Sequence, residues 1–196
     1  MSDVELLNEA GKKLGDATLV YSLARNGGIK VQAEFMPDTT VVRAMARLGL
    51  VFEVNDTYGN VSYLGRGDHE TYADRKQSGK IGIYNTTVER MFHYYVKPQA
   101  TGNRTDVRWM KLADEADNGL FVDSSRLFQF SISPFTDENI EEATHINQLE
   151  RNGKVTVHLD AEQSGVGTAT CGPATLPPYL VPVDMQQFDF TIYLVK

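Results

Sequence analysis

Apolar side chains recur at every second position along much of this chain, and that spacing restricts its fold more than any other feature. A period of two places alternate side chains on opposite faces of an extended strand, so it calls for a sheet with one face buried. In residues 30–35, KVQAEF, the side chains of Val31, Ala33 and Phe35 share a face opposite Lys30, Gln32 and Glu34. VTVHLD repeats the pattern with Val155, Val157 and Leu159 inward, FQFSI with Phe128, Phe130 and Ile132, and FDFTIYL with Phe188, Phe190, Ile192 and Leu194. These four runs predict antiparallel strands. RNGG at residues 25–28 supplies the positive φ angles of a tight hairpin. VVRAMARL (41–48), LVFEV (50–54), RMFHYYV (90–96) and DVRWMKL (106–112) are less regular, but their β-branched and aromatic content gives them a strand reading too.

Two segments read as helices. SDVELLNEAGKKLG (2–15) offers a capping box from Ser2 and Glu5, weakened by Gly11. PFTDENIEEATH (134–145) has the stronger signal. Thr136 can cap, Asp137 and Glu138 suit the positive end of the helix dipole, and Phe135 can staple onto Ile140. Ile140 and Ala143 are expected to pack inward, with Glu141 and Glu142 in water. With no internal repeat or linker, the expectation is one all-β domain of two packed antiparallel sheets with a short helix near 136–145.

The formal net charge of −7 argues against a nucleic-acid partner, whose phosphates demand a basic surface. At 41% hydrophobic and 23% charged residues the composition indicates neither disorder nor a membrane protein. No apolar run is long enough to span a bilayer and no signal peptide is visible. A single cysteine allows no internal disulfide, which fits a reducing, cytoplasmic setting.

That cysteine lies in GVGTATCGP (165–173), a run of small residues too long for a tight turn, which suggests a loop that approaches another surface closely. Its sequence neighbours supply no base to activate Cys171 as a nucleophile. His69, His93, His145 and His158 show no metal-ligand spacing, and acidic stretches such as DEAD read as solvated surface rather than a glycosidase carboxylate pair. Two further stretches are unusual: YLGRGDHETYADRK (63–76) and GNRTDVRW (102–109). From residue chemistry alone they describe a buried ion-pair network, with forked arginines satisfying carboxylates and pinning long loops to the sheets.

Taken in order, these stretches resemble the C-terminal domain of the lactose-operon-type β-galactosidases of glycoside hydrolase family 2, also called their small chain. The family pattern Gly-Arg-Gly-Pro-x-Glu-x-Tyr-x-Asp-Arg is followed from Gly65 to Arg75, with Asp68 in place of proline; Gly-Asn-Arg-x-Asp-Val-Arg-Trp is matched from Gly102 to Trp109. A Ser-Pro-Phe-Thr segment, an Ala-Thr-His and the Gly-x-Gly loop follow. The resemblance implies an antiparallel β super-sandwich related in architecture to the galactose mutarotases. It implies that residues 17–196 are the later part of that domain without its front, and that residues 1–16 are an N-terminal extension.

The same resemblance implies a non-catalytic role. The catalytic glutamates, magnesium and sodium of such enzymes belong to a barrel domain, so the isolated chain is expected to be inactive and its partners to be that barrel domain or large chain and a terminal β-galactoside such as lactose. The assembled enzyme is expected to be oligomeric. Carried over residue by residue, Cys171 stands where the family places an aglycone-stacking tryptophan, with Thr170 and Gly167 beside it on the substrate side. Glu70, Asp74, Arg75, Asn103, Arg104, Asp106, Arg108 and Trp109 are expected to have structural or interface roles. The alternative is a free carbohydrate-binding or mutarotase-like protein, for which the sequence displays no clear histidine and carboxylate pair.

Overall fold

The computed structural model describes residues 1–168 and 172–196. Its ten strands are β1 (Ser2–Leu7), β2 (Lys13–Leu23), β3 (Ile29–Pro37), β4 (Arg47–Asn55), β5 (Asn60–Gly67), β6 (Lys80–Thr87), β7 (Arg104–Ala113), β8 (Gly119–Ser133), β9 (Lys154–Gln163) and β10 (Gln186–Val195). The main path runs β1-β2-β3-β10-β8-β7-β5-β6, and β9 leaves β8 to pair with β4. Each described pairing is antiparallel. The expected all-β sandwich with a short helix is what the chain forms.

Strand β8 spans 15 residues and serves both layers. Its first part, Leu120 to Asp123, lies between β10 and β7, while Gln129 to Ser133 pair with β9. Its register with β7 slips on either side of Val107, the irregularity that turns the strand from one layer into the other. Phe128, Phe130 and Ile132 keep their period of two through this passage and are all within 1% of full burial. The main core gathers around them: Ala33 lies on β3, Tyr63 on β5, Met110 and Leu112 on β7, Val155, Val157 and Leu159 on β9, and Phe188 and Phe190 on β10.

The last apolar residue of FDFTIYL departs from expectation. Leu194 is 86% exposed, although it shares a face with Phe188 and Phe190. The same stripe continues through Tyr21, Leu23 and Ile29, which are also exposed.

Three sequence expectations are corrected. Residues 2–15 form the β1–β2 hairpin rather than a helix. Gly11 adopts φ +73, the Asn8 amide donates to the Lys12 carbonyl at 2.9 Å, and the Asn8 side chain accepts from the Lys12 amide, so turn chemistry at Asn8 to Gly11 overrides the weak capping box. RMFHYYV holds no strand. Thr87 caps a single helical turn, α1 (Val88–Met91), and the chain then leaves the sheet so that Phe92 can join Phe135 and Ile140 in a second small core. VVRAMARL is extended only from Arg47 onward, the preceding residues forming a turn after Asp38 and an isolated bridge at Met45.

The second helix, α2 (Asp137–Glu142), forms as read from sequence. Thr136 accepts from the Asn139 amide at 3.1 Å, Ile140 and Ala143 are buried, and Glu141 and Glu142 are exposed. The hairpin at residues 25–28 is also present, with Gly27 at φ +86. No helix among the described residues is long and apolar enough to cross a membrane.

Gly49 shows how tightly β4 lies on β9. A Cβ built there would stand 2.1 Å from the Leu159 carbonyl oxygen and 2.6 Å from the Asp160 Cα, both backbone atoms, whereas one at Gly59 would meet nothing within 4 Å. Gly49→Ala is therefore expected to cost about 1–3 kcal/mol through overpacking, and Gly59→Ala to change stability by less than about 0.5 kcal/mol. Parallel urea titrations followed by circular dichroism check the contrast; equal midpoints for the two variants would contradict the close approach.

Candidate functional site

The polar residues singled out from the sequence converge on one end of the sandwich, where the loop after β5 lies over the start of β7. The segment that carries Glu70 to Lys76 has little regular structure, so side chains supply its hydrogen bonds. Thr71 does much of this. Its amide donates to the Asn103 carbonyl at 2.9 Å, its carbonyl accepts from the Asn103 side chain at 3.0 Å, and its hydroxyl meets both the Thr105 hydroxyl at 2.9 Å and the Thr105 amide at 3.0 Å. Asn103 also donates to Gln129 at 2.8 Å, which extends the seam to β8, while its Oδ1 is buried without a partner.

Arg104 departs from the ion-pair expectation. It is 2% exposed, yet its guanidinium forms no ion pair among the described residues: Nε donates to the Tyr63 hydroxyl at 2.9 Å, Nη1 to the carbonyls of Gly102 (2.9 Å) and Asn103 (3.2 Å), and Nη2 to the Asp68 carbonyl at 3.0 Å. The planar fork reads backbone, and in doing so it joins the Asp68 turn to the Gly102 turn. Asp106 instead pairs with Arg66 at 2.5 Å and Lys76 at 3.3 Å. Burial pushes its carboxyl up, but those two cations outweigh burial and hold it below the usual aspartate range. Arg108 is exposed and touches only the Asp106 carbonyl, at 2.6 Å, among its hydrogen-bond partners here.

Glu70 gathers donors without a cation. Its carboxylate accepts from the Tyr72 hydroxyl (3.1 Å), the Thr101 hydroxyl (2.7 Å), the Gly102 amide (2.9 Å) and the Tyr95 hydroxyl. Burial raises its pKa, the four hydrogen bonds together outweigh that, and the carboxyl lies below its ordinary value of 4.5. Burial, and after it the Glu70 carboxylate, push the Tyr72 hydroxyl well up, so it remains a donor. Arg75 is exposed, with its guanidinium 5.8 Å from the Tyr72 ring centroid, and Trp109 is half-buried and stacked on Phe121 at 5.7 Å.

The Gly-x-Gly loop meets this platform through Asp74, whose carboxylate accepts from the amides of Val166 (3.2 Å) and Gly167 (2.7 Å). Gly167 has φ +58. Thr170 and Cys171 lie outside the described residues. The glycines were expected to permit approach to a neighbouring domain. The atoms they approach here belong to their own chain: Asp74 for Gly165, and residues 174–175 for Gly167.

Sequence reasoning missed a second polar group, on the outer face of β9. His158 and Asp160 alternate with the core residues Val157 and Leu159, and both are nevertheless buried. Arg47 donates through Nε to Asp160 at 3.1 Å and also through Nη2, and it reaches Ser131 at 3.2 Å; His158 contacts Asp137 of α2 at 3.0 Å. Burial pushes the Asp160 carboxyl up against the pull of Arg47, and the His158 hydrogen bond lowers that of Asp137. A cleft of about 720 Å³ opens beside them, walled by Leu14, Phe35, Val42 and Leu50. The signal was present in VTVHLD as two ionisable residues on the strand's outer face, but a period-two reading assigns that face to solvent. Among the described residues no group of three or more His, Cys, Asp or Glu side chains is placed to hold a metal ion.

The family model for the β-galactosidase small chain matches residues 2–194, and the chain belongs to that family. The β-galactosidase of Streptococcus thermophilus is 35% identical over 147 residues, which cover 74% of this chain and 14% of that enzyme. Those of Actinobacillus pleuropneumoniae and Priestia megaterium are 31% and 28% identical, over 78% and 79% of the chain and 15% of each enzyme. The chain thus spans about 15% of the length of these curated relatives.

Two outcomes follow from the site's electrostatics. Asn tolerates the positive φ of 53° at residue 106, so Asp106→Asn removes charge without adding strain. It is expected to lower stability by about 2–3 kcal/mol by leaving Arg66 and Lys76 unpaired, while Glu142→Ala changes it by less than about 0.5 kcal/mol; equal denaturation midpoints would place the Asp106 group in solvent. Because the Glu70 and Asp106 carboxyls are lowered on folding, their contribution is present above the unfolded values and is lost as pH falls through the folded ones. Stability should therefore decline below about pH 4.5, and Glu70→Gln should decline less steeply; identical pH profiles of melting temperature would contradict the Glu70 contacts.

Proposed function

We propose that this chain is the non-catalytic part of a lactose-operon-type β-galactosidase of glycoside hydrolase family 2, completing its active site on the aglycone side. The observation that carries the reading is the coupling of the family motifs: the segment with Glu70 and Asp74 is clamped by the segment with Asn103 and Arg104, and the Gly-x-Gly loop is braced on Asp74. Such bracing suits a loop that must hold its place at a substrate pocket.

Retaining hydrolysis of a β-galactoside requires an acid/base and a nucleophilic carboxyl about 5 Å apart. Four carboxylates at the platform and beside the β9 cleft are engaged by other groups: Glu70 by its four donors, Asp106 and Asp160 by cations, Asp74 by backbone amides. In this reading the barrel domain or large chain supplies both glutamates and the magnesium and sodium, and the present chain contributes Cys171, Thr170 and Gly167 to the wall that meets the glucose of lactose. A thiol in place of the family's indole gives that wall less stacking surface. The rest of the enzyme also covers the stripe of Tyr21, Leu23, Ile29 and Leu194.

A second reading, a free mutarotase-like protein, has one observation in its favour. His158 and Asp137 form, beside a cleft, the histidine and carboxylate pair that the sequence did not display. If that reading held, the purified chain would accelerate the change in optical rotation of fresh α-D-galactose.

The purified chain is expected to hydrolyse no chromogenic β-galactoside and to leave galactose mutarotation at its buffer rate. In the assembled enzyme Cys171→Trp should change the Michaelis constant or the transfer-to-hydrolysis ratio for lactose by roughly fivefold, the worth of about 1 kcal/mol of stacking. Turnover by the isolated chain, or unchanged lactose kinetics with a large loss of stability in Cys171→Trp, would overturn the leading reading.

A further inference from the structure

Asp74 is half-buried, and its carboxylate meets no basic side chain within ion-pair distance among the described residues. Two consecutive backbone amides take that place, Val166 at 3.2 Å on Oδ1 and Gly167 at 2.7 Å on Oδ2. Successive amides converge on one anion when a residue in the left-handed region follows one in the right-handed region or a turn, and the φ of +58 at Gly167 provides that bend. Gly165 is required for a different reason. A Cβ there would lie 2.5 Å from the Asp74 carboxyl carbon and 2.7 Å from each oxygen, so the loop backbone lies flat against the carboxylate. The two glycines of the motif thus make a cradle, and a side chain about ninety residues earlier fills it.

Both partners are fixed on their far sides. The Gly165 amide donates to the Tyr179 carbonyl at 2.7 Å, its carbonyl accepts from the Thr175 hydroxyl at 2.7 Å, and the Thr168 amide reaches the Pro173 carbonyl at 3.1 Å. Asp74 sits in a turn closed by the Arg75 amide on the Tyr72 carbonyl at 2.9 Å, with buried Tyr72 and half-buried Glu70 before it and Lys76 bound to Asp106 after it. With little freedom at either end, the carboxylate contact sets where the loop arm at residues 165–168 stands relative to the platform.

We propose that Asp74 is a positioning residue for aglycone selectivity: by holding the amides of Val166 and Gly167 it fixes the loop arm from which the leaving-group side of the β-galactosidase site is built. The inference rests on the reading under Proposed function, and nothing in it requires Asp74 to touch substrate. It deepens that reading by tying selectivity to a carboxylate in the Tyr-Ala-Asp-Arg segment rather than to the loop alone.

The test uses the whole enzyme containing this chain, with Asp74→Asn and Gly165→Ala as two disturbances of one contact from opposite sides. Asn keeps the size of the side chain and one acceptor, but turns an NH2 group toward an amide N–H. Both variants are expected to raise the Michaelis constant for lactose roughly three- to tenfold and to lower galactosyl transfer to added glucose by a similar factor. The saturated rate on a nitrophenyl galactoside, whose activated leaving group needs little help from that side, should stay within about twofold. A merely structural role would lower lactose and nitrophenyl rates together, and that result, or no change in either variant, would overturn the proposal. If one variant fails to fold, the other decides.

Hydrogen exchange in the 196-residue chain separates this inference from the reading beneath it. Asp74→Asn should speed exchange at the Val166 and Gly167 amides at least about tenfold while leaving Thr71 protected; unchanged exchange would sink the cradle whatever the kinetics. Faster exchange at those amides in a protein whose whole enzyme hydrolyses no β-galactoside would retain the cradle and remove the function.

Discussion

The rest of this molecule depends on one strand being buried on both sides at its end, from Phe130 to Ser133. Where β8 passes from the long sheet to the short one, Phe128, Phe130 and Ile132 face the core, and the intervening Gln129 and Ser131 face outward into contacts with Asn103 and Arg47. Outward residues on an antiparallel strand ordinarily meet water. Here Asn103 and the Arg47 side chain of β4 reach over them, and each covering segment must satisfy the polar groups it buries. That obligation accounts for the unusual composition of residues 63–76 and 102–109 and for the pairing of Arg47 with Asp160.

The way the obligation is met gives the buried charges of the platform directional partners. A buried guanidinium usually needs a carboxylate, yet Arg104 is held by three carbonyls and a tyrosine hydroxyl, while Glu70 is held by three hydroxyls and an amide. Each charge therefore reads backbone or hydroxyl geometry, which is directional, rather than another mobile charge. Buried networks of this kind favour a single arrangement when their members are satisfied. The family's glycines fit the same account, since Gly102 at φ +78 lies against the Met91 carbonyl and Gly165 against Asp74.

Much of this was legible in the sequence. Strands such as KVQAEF and FQFSI read directly, because one face is buried and the period of two survives. The cap on α2 was legible for the same local reason. The β1–β2 hairpin was misread because Asn8 to Gly11 carry turn signals that a capping box and charged residues mask, and RMFHYYV because aromatic content says nothing about whether those rings pack in a sheet or in a separate small core. The polar contacts were illegible in principle: Asp74 to Gly167, Arg47 to Asp160 and His158 to Asp137 span long sequence separations, and no local pattern distinguishes a buried polar face from a wet one. The family resemblance supplied the expected role of residues 165–173, but not the carboxylate that meets the Val166 and Gly167 amides.

The most direct test of the central claim, that this fold is a binding platform completing a catalytic site made elsewhere, is complementation. The remainder of the parent β-galactosidase would be expressed without residues 1–196 and titrated with the purified chain while galactoside hydrolysis is followed. The account predicts an inactive remainder, an inactive chain, and activity that rises and saturates as the two are mixed. Full activity of the remainder alone, or no recovery from two folded components that bind each other, would contradict it.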